Sequence, residues 1–368
     1  MLDDLLIINE SGSLLFNWHP EGAQENGKDD LLSGFLTAIN SFATYERGED
    51  IKSLKLRETY IIFEKRDDLY QKLTFVVTTK NTELTELLHS FIHQIMDQFI
   101  AEFEPLLNKE FDGEITAYKK FKENVNQINY ALGLDVLASN IVEIEQESTL
   151  KAIIYIEPKS GTVFYIHAKQ YTDKEKLSFL IPLVLNSARL LYQNYLNEPL
   201  NWFLLNSVQS ETIVVEPRKN IVIVKQFNLS NNIEKEFLSL EFFKEEGKYL
   251  KKPNKLIEKF KNIIWDLNIR QLYLVDLVGK VLYSKIFDKN YDCSEYIPET
   301  ISFLTSSKKV NTEIYNRVLF YAAIGGERIL TICINFNNFA LTLIGNVKDF
   351  KDFDFLQNIC LTIYKQLK

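Results

Sequence analysis

The stretch that decides the fold is residues 151–196, KAIIYIEPKSGTVFYIHAKQYTDKEKLSFLIPLVLNSARLLYQNYL. Ala152-Ile153-Ile154-Tyr155-Ile156 is a β-branched and aromatic run of strand length, and Val163-Phe164-Tyr165-Ile166 is a second. Pro158, Lys159, Ser160 and Gly161 between them supply turn chemistry, so the pair reads as a hairpin. Beyond it the apolar period lengthens from two to 3.6. Leu177, Leu180, Ile181, Val184, Leu185, Ala188, Leu191 and Tyr192 recur at helical spacing, behind a capping box in Thr172-Asp173-Lys174-Glu175. The same order of elements returns at Leu5-Leu6-Ile7-Ile8, Gly12, Leu14-Leu15-Phe16 and at Leu272-Tyr273-Leu274-Val275, Gly279, Val281-Leu282-Tyr283, each time ahead of an apolar helix.

A chain of 368 residues has room for two or three domains of ordinary size. The repeated hairpin and helix favour three: residues 1–133, 150–247 and 254–368, with linkers at 134–149 and 248–253. In the first, a helix beginning at Asp29 and Asp30 carries an apolar stripe of Leu31, Leu32, Phe35, Leu36, Ile39 and Phe42. Strands at Ile51 to Leu56, Thr59 to Lys65 and Lys72 to Thr79 follow, then helices at Leu84 to Phe103 and Ile115 to Leu132. The second domain continues with strands at Asn201 to Leu205, Thr212 to Glu216 and Asn220 to Phe227 and a closing helix at Asn232 to Glu246. The third adds a leading helix, Leu256 to Leu267, then the hairpin, a helix from Ser294 through Leu304, and strands at Arg317 to Ala323, Ile329 to Asn335 and Phe339 to Gly345. A last helix runs Phe353 to Leu367. Each domain is therefore expected to be an α+β unit with a five-stranded antiparallel sheet in ββαβββ order.

The element order resembles the longin and roadblock domains. Residues 1–133, with two closing helices, are similar to a longin domain, and Asp29 to Ile39 look like its first helix. Residues 254–368, with a helix in front, are similar to roadblock, and 150–247 fit either. Three such domains in one chain also resemble the tri-longin subunits of Rab exchange factors. The resemblance implies a scaffold that binds a small GTPase of the Ras, Rab or Rag kind and pairs with itself or with a similar subunit. Its alternatives are an exchange or activating subunit, or a trafficking or cytoskeletal adaptor with no GTPase.

Composition excludes several classes. A net charge of −8 argues against a nucleic-acid footprint, and 46% apolar with 25% charged residues is ordinary for a folded chain. Cys293, Cys333 and Cys360 lack metal-type spacing, and no signal-peptide charge pattern precedes the first strand. No apolar run is long enough to span a membrane, so the protein is expected in the cytoplasm and at membranes only through partners. No Gly-x-x-x-x-Gly-Lys-Ser/Thr occurs, and Gly12, Gly161 and Gly279 sit in hairpin turns rather than before helices. His89, His93 and Asp97 lie four apart on one helix, yet Ser90 breaks the His-Glu-x-x-His pattern and the three point away from the apolar stripe. They are expected to be a solvated face. His19 and His167 have no nucleophile placed beside them. No catalytic residue, metal or cofactor is expected.

One feature does point to function. The inserted helices lack the Lys- and Glu-rich face of a helix that meets water. Opposite the stripe stand Ser33, Thr37, Asn40, Ser41 and Thr44 on the first, Ser178, Asn186, Arg189 and Gln193 on the second, and Thr300, Ser302 and Ser306 on the third. Such faces suit a protein interface or a neighbouring domain of the same chain. Ser33, Phe35, Thr37, Asn40, Lys52, Lys55, Asn186, Arg189 and Thr300 form the expected partner surface, although Phe35 also fits the core stripe.

Overall fold

The computed structural model describes residues 2–20, 29–146, 149–170, 172–209, 211–228, 257–258, 260–261, 269–288, 294–349 and 352–367. The expected helix at Asn232 to Glu246, the linker at 248–253, Cys293 and most of the helix at Leu256 to Leu267 lie outside these residues. Among the described residues the chain is mixed α/β with antiparallel sheets and seven α-helices. It divides into two compact units, one of residues 1–142 with 218–221 and one of residues 143–217 with 222–368.

The first unit holds β1 (Leu2–Asn9), β2 (Leu14–Trp18), α1 (Asp29–Arg47), β3 (Ser53–Lys55), β4 (Tyr60–Arg66), β5 (Leu73–Thr79), α2 (Thr85–Leu107) and α3 (Lys122–Ala131). Its five strands run β2-β1-β5-β4-β3, all antiparallel. The α2 face of the sheet is filled by aromatic packing around Phe99, which meets Phe75, Phe103, Tyr118 and Phe121 at centroid distances of 6.0, 4.8, 5.4 and 5.0 Å. The residues expected to link the first two domains, as a linker or a partly helical connector, contain a helix, α4 (Leu137–Gln146), with Leu137, Asn140 and Ile144 buried.

The second unit repeats the pattern twice. β6 (Leu150–Ile156), β7 (Val163–Ala168), α5 (Lys174–Arg189), β8 (Trp202–Ser207), β9 (Glu211–Pro217) and β10 (Val222–Asn228) form one copy. β11 (Ile269–Asp276), β12 (Val281–Ile286), α6 (Ile297–Tyr315), β13 (Leu319–Gly325), β14 (Ile329–Phe336), β15 (Phe339–Asn346) and α7 (Phe353–Leu367) form the other. The two sheets are not separate. They join edge to edge into ten strands, β12-β11-β15-β14-β13-β8-β9-β10-β6-β7, through antiparallel pairing of β8 with β13. Each half keeps the 2-1-5-4-3 order of the first unit, so the third strands of the two copies face one another across a local two-fold seam.

Helices cover that seam. Asp173 caps α5 by accepting from the Lys176 amide at 3.1 Å. α5 runs antiparallel to α6, with Lys176 Nζ donating to the Glu313 carbonyl at 3.0 Å and the Ser187 and Ser306 hydroxyls 3.2 Å apart. One apolar core beneath them draws Val184, Leu185 and Phe203 from one copy and Phe303, Leu304 and Ala322 from the other. Burying such side chains is worth about 1.5–3 kcal/mol each, so the halves stabilise one another. After α5 the backbone widens into a π-turn over Leu190–Tyr195 and delivers the Tyr192 hydroxyl to the Ile324 carbonyl at 2.8 Å. The buried Glu198 carboxylate likewise accepts from the Arg328 amide at 2.9 Å.

Trp202 and Gly325 are paired at one end of the seam, and a Cβ on Gly325 would lie 2.3 Å from the indole. Gly325→Ala is expected to destabilise the second unit by about 1–3 kcal/mol through overpacking. Gly34→Ala, on a helix with nothing within 4 Å of the added Cβ, should leave the first unit unchanged or stabilise it by about 0.5–1 kcal/mol. Differential scanning calorimetry checks both, and an unchanged second transition in Gly325→Ala would refute the seam.

Candidate functional site

α1 is rotated on its sheet relative to the expected stripe: Leu36 is buried and Leu32 and Ile39 are half-buried, whereas Leu31, Phe35 and Phe42 are exposed. Its small polar residues serve the loops beside it. Ser33 Oγ donates to the Asp30 carbonyl at 2.9 Å and lies 3.2 Å from the Gly12 carbonyl of the first hairpin turn. Gly12 has φ +85°, and a Cβ added there would meet Thr37 at 3.4 Å. Asn40 Oδ1 accepts from the Ile51 amide at 3.1 Å and so holds the chain leaving the helix. Between them Leu36 is buried with Ile8, Phe63 and Val76. Ser33 and Asn40 therefore reach loops of their own domain, and Thr37 Oγ1 donates to the Ser33 carbonyl of the same helix at 2.9 Å.

The large apolar residues turn outward. Leu31 is 76% exposed, Phe35 56%, Phe42 68% and Tyr45 88%. Soluble proteins scatter single apolar side chains over their surfaces, but four on one helix form a patch of the kind that marks an interface. A groove of about 720 Å³, lined by Thr37, Tyr45 and Lys65 among others, flanks α1 on one side. A second of about 780 Å³, which includes Leu31, Phe35 and Leu56, flanks it on the other.

β3 beside it is one of the two edges of the five-stranded sheet, and among the described residues it pairs with β4 alone. Phe63 N donates to the Lys52 carbonyl and Leu56 N to the Thr59 carbonyl, at 2.9 and 2.8 Å. Antiparallel alternation then turns the Ser53 and Lys55 amides away from β4. Lys52 and Lys55 are both exposed. The corresponding strands of the second unit, β8 and β13, have no such edge because each pairs with the other. The remaining expected contacts lie on helices that already meet: Asn186 is exposed, Arg189 is half-buried with its guanidinium pKa lowered by desolvation, and Thr300 is buried with Oγ1 donating to the Tyr296 carbonyl at 2.9 Å.

The start of α1 is held by His19. Its Nδ1 lies 2.6 Å from Asp4 Oδ1 and its Nε2 2.9 Å from Asp29 Oδ2. Thr78 donates to Asp4 at 2.8 Å and Asn17 to Asp29 at 2.7 Å. Burial alone would lower the imidazole pKa, but the hydrogen bonds and charges of Asp29 and Asp4 outweigh it and raise it.

Nothing in these groups resembles a catalytic constellation. Cys333 and Cys360 are buried, and desolvation pushes the Cys333 thiol up to about 12 and that of Cys360 well above its ordinary value, which disarms both as nucleophiles. His89 and His93 do not gather Asp97; they converge with Glu64 of β4. Among the described residues no helix is long and apolar enough to cross a membrane. The sequence matches no protein-family model and no curated protein.

A raised folded-state pKa means that His19 contributes stability below its unfolded value near 6.5 and loses it as pH rises through the folded value. His19→Ala should therefore cost the first unit about 1–2 kcal/mol at pH 6 and distinctly less at pH 9. Urea unfolding at the two pH values checks this; an equal loss at both would show that the imidazole charge plays no part.

Proposed function

We propose that the chain is a non-enzymatic scaffold of longin or roadblock type that pairs with a second copy through α1 and β3 and holds a small GTPase on the composite surface. The observation that carries the pairing is the contrast within the chain. Two of its three ββαβββ copies cover each other's third strand and inserted helix, and among the described residues the remaining copy leaves the equivalent elements bare.

The sequence of the bare elements fits self-association. α1 has Asp29 and Asp30 in its first turn and Arg47 beside Glu46 in its last, so in two antiparallel copies Arg47 comes to the other copy's acidic first turn. A two-fold axis at Leu54 sets Ser53 opposite Lys55 and Lys52 opposite Leu56, which avoids like charges in register. It also matches the outward amides of Ser53 and Lys55 to each other. The GTPase is what the resemblance implies, and the absence of a P-loop in the sequence fits a chain that acts on nucleotide only through a partner.

Sedimentation equilibrium of the full chain should yield a dimer, and Phe35→Glu combined with Phe42→Glu should weaken it by at least about 30-fold, the effect of losing one buried aromatic anchor. Asn186→Lys, on the second unit, should leave it unchanged. Titration calorimetry of the chain alone with GTP and GDP should show no binding, and purified GTPases of the Ras, Rab and Rag classes tested in pull-downs should include at least one that is retained. A monomeric wild type overturns the pairing, and failure of every GTPase class or tight nucleotide binding by the chain overturns the regulatory reading.

A further inference from the structure

The described residues contain one cluster with the composition of a transition-metal site, and it owes nothing to α1. His89 and His93 stand one turn apart on α2. β4 alternates its faces: Ile61 and Phe63 join the core under α1, so Glu64 between Phe63 and Lys65 projects toward α2. There Glu64 Oε1 lies 3.0 Å from His89 Nδ1 and 3.7 Å from His93 Nε2. One ligand atom from each residue falls within 4.8 Å of the others.

We propose that Glu64, His89 and His93 form a binding site for a borderline divalent transition metal, Zn²⁺ above all, with one coordination position left open. Four-coordinate zinc with bonds of about 2.0–2.1 Å sets its ligand atoms about 3.3–3.4 Å apart, and the two Glu64 distances bracket that value. The His89 and His93 rings, 6.4 Å between centroids and inclined at 73°, need only close toward each other. His93 is 63% exposed in its side chain, so it has room to do so and the ion has a path of entry.

Two imidazoles and one carboxylate are a nitrogen-rich donor set. It suits Zn²⁺, Co²⁺ or Ni²⁺, whereas Ca²⁺ and Mg²⁺ require oxygen ligands. Glu64 on the strand beside the β3 edge and the two histidines on α2 belong to different elements, so a bound ion ties helix to sheet. The position that the protein leaves open faces solvent and takes water or a ligand from another molecule. Asp97, one turn beyond His93, is not part of the cluster.

Chelator-treated full chain titrated with Zn²⁺ in a calorimeter should bind one ion, and Co²⁺ in its place should give the intense visible absorption of a four-coordinate ion. His93→Ala and Glu64→Gln should each weaken binding by at least tenfold while circular dichroism stays native, since His93 is exposed and Glu64, half-buried, keeps its shape as Gln. His167→Ala, on the second unit and outside the cluster, should bind as the wild type does. Zn²⁺ should also raise the melting temperature of the first unit in the wild type and not in His93→Ala, because binding only the folded state is linked to stability. Absence of Zn²⁺ binding, undiminished binding in both cluster variants, or equal affinity for Ca²⁺ would each overturn the site.

Discussion

A strand at the edge of a sheet carries amide and carbonyl groups with no partner, and the rest of this structure follows from where those groups are satisfied. β8 and β13 satisfy each other. Their pairing aligns the two copies about a local two-fold, and that alignment sets α5 beside α6 over a shared apolar core. The π-turn that aims Tyr192 at the Ile324 carbonyl and the buried Glu198 that accepts from Arg328 are further ties made possible by the same seam. In the first unit β3 has, among the described residues, only β4, and the helix above it keeps its aromatic residues in water.

α1 shows how hydrogen bonding can overrule the apolar stripe. A helix normally turns its large apolar residues to the sheet. Here the Gly12 turn and the Ile51 amide lie under the helix and need polar partners, which Ser33 and Asn40 provide. Leu36 is left to fill a narrow core while Leu31, Phe35 and Phe42 face away. Exposing three such side chains costs several kcal/mol relative to burying them. That cost is what a partner on this face would recover, which joins the packing of the helix to the proposed pairing.

Element order was legible because each hairpin announces itself by composition and each inserted helix by period, and strands such as Leu73–Thr79 and Ile329–Phe336 fall within a residue of the sequence reading. The join between the second and third copies was not read, although a signal existed. Phe203-Leu204-Leu205 and Leu319-Phe320-Tyr321-Ala322-Ala323-Ile324 are continuous apolar runs, as strands flanked on both sides by other strands tend to be, whereas Lys52 and Lys55 bracket a short edge. The rotation of α1 was beyond reach, since periodicity marks an apolar arc without saying which part of it, here Leu32, Leu36 and Ile39, meets the sheet. The meeting of Glu64 with His89 and His93 was likewise hidden, because 25 residues separate the carboxylate from the nearer histidine and only the sheet brings them together.

The most direct test of the account is amide hydrogen exchange at β3 measured across a range of protein concentration. If the open edge pairs with its own copy, the outward amides of Ser53 and Lys55 exchange more slowly at concentrations where the chain is dimeric than after dilution to monomer. Equal exchange at both concentrations, or slowing confined to another edge such as β2 or β12, would contradict it.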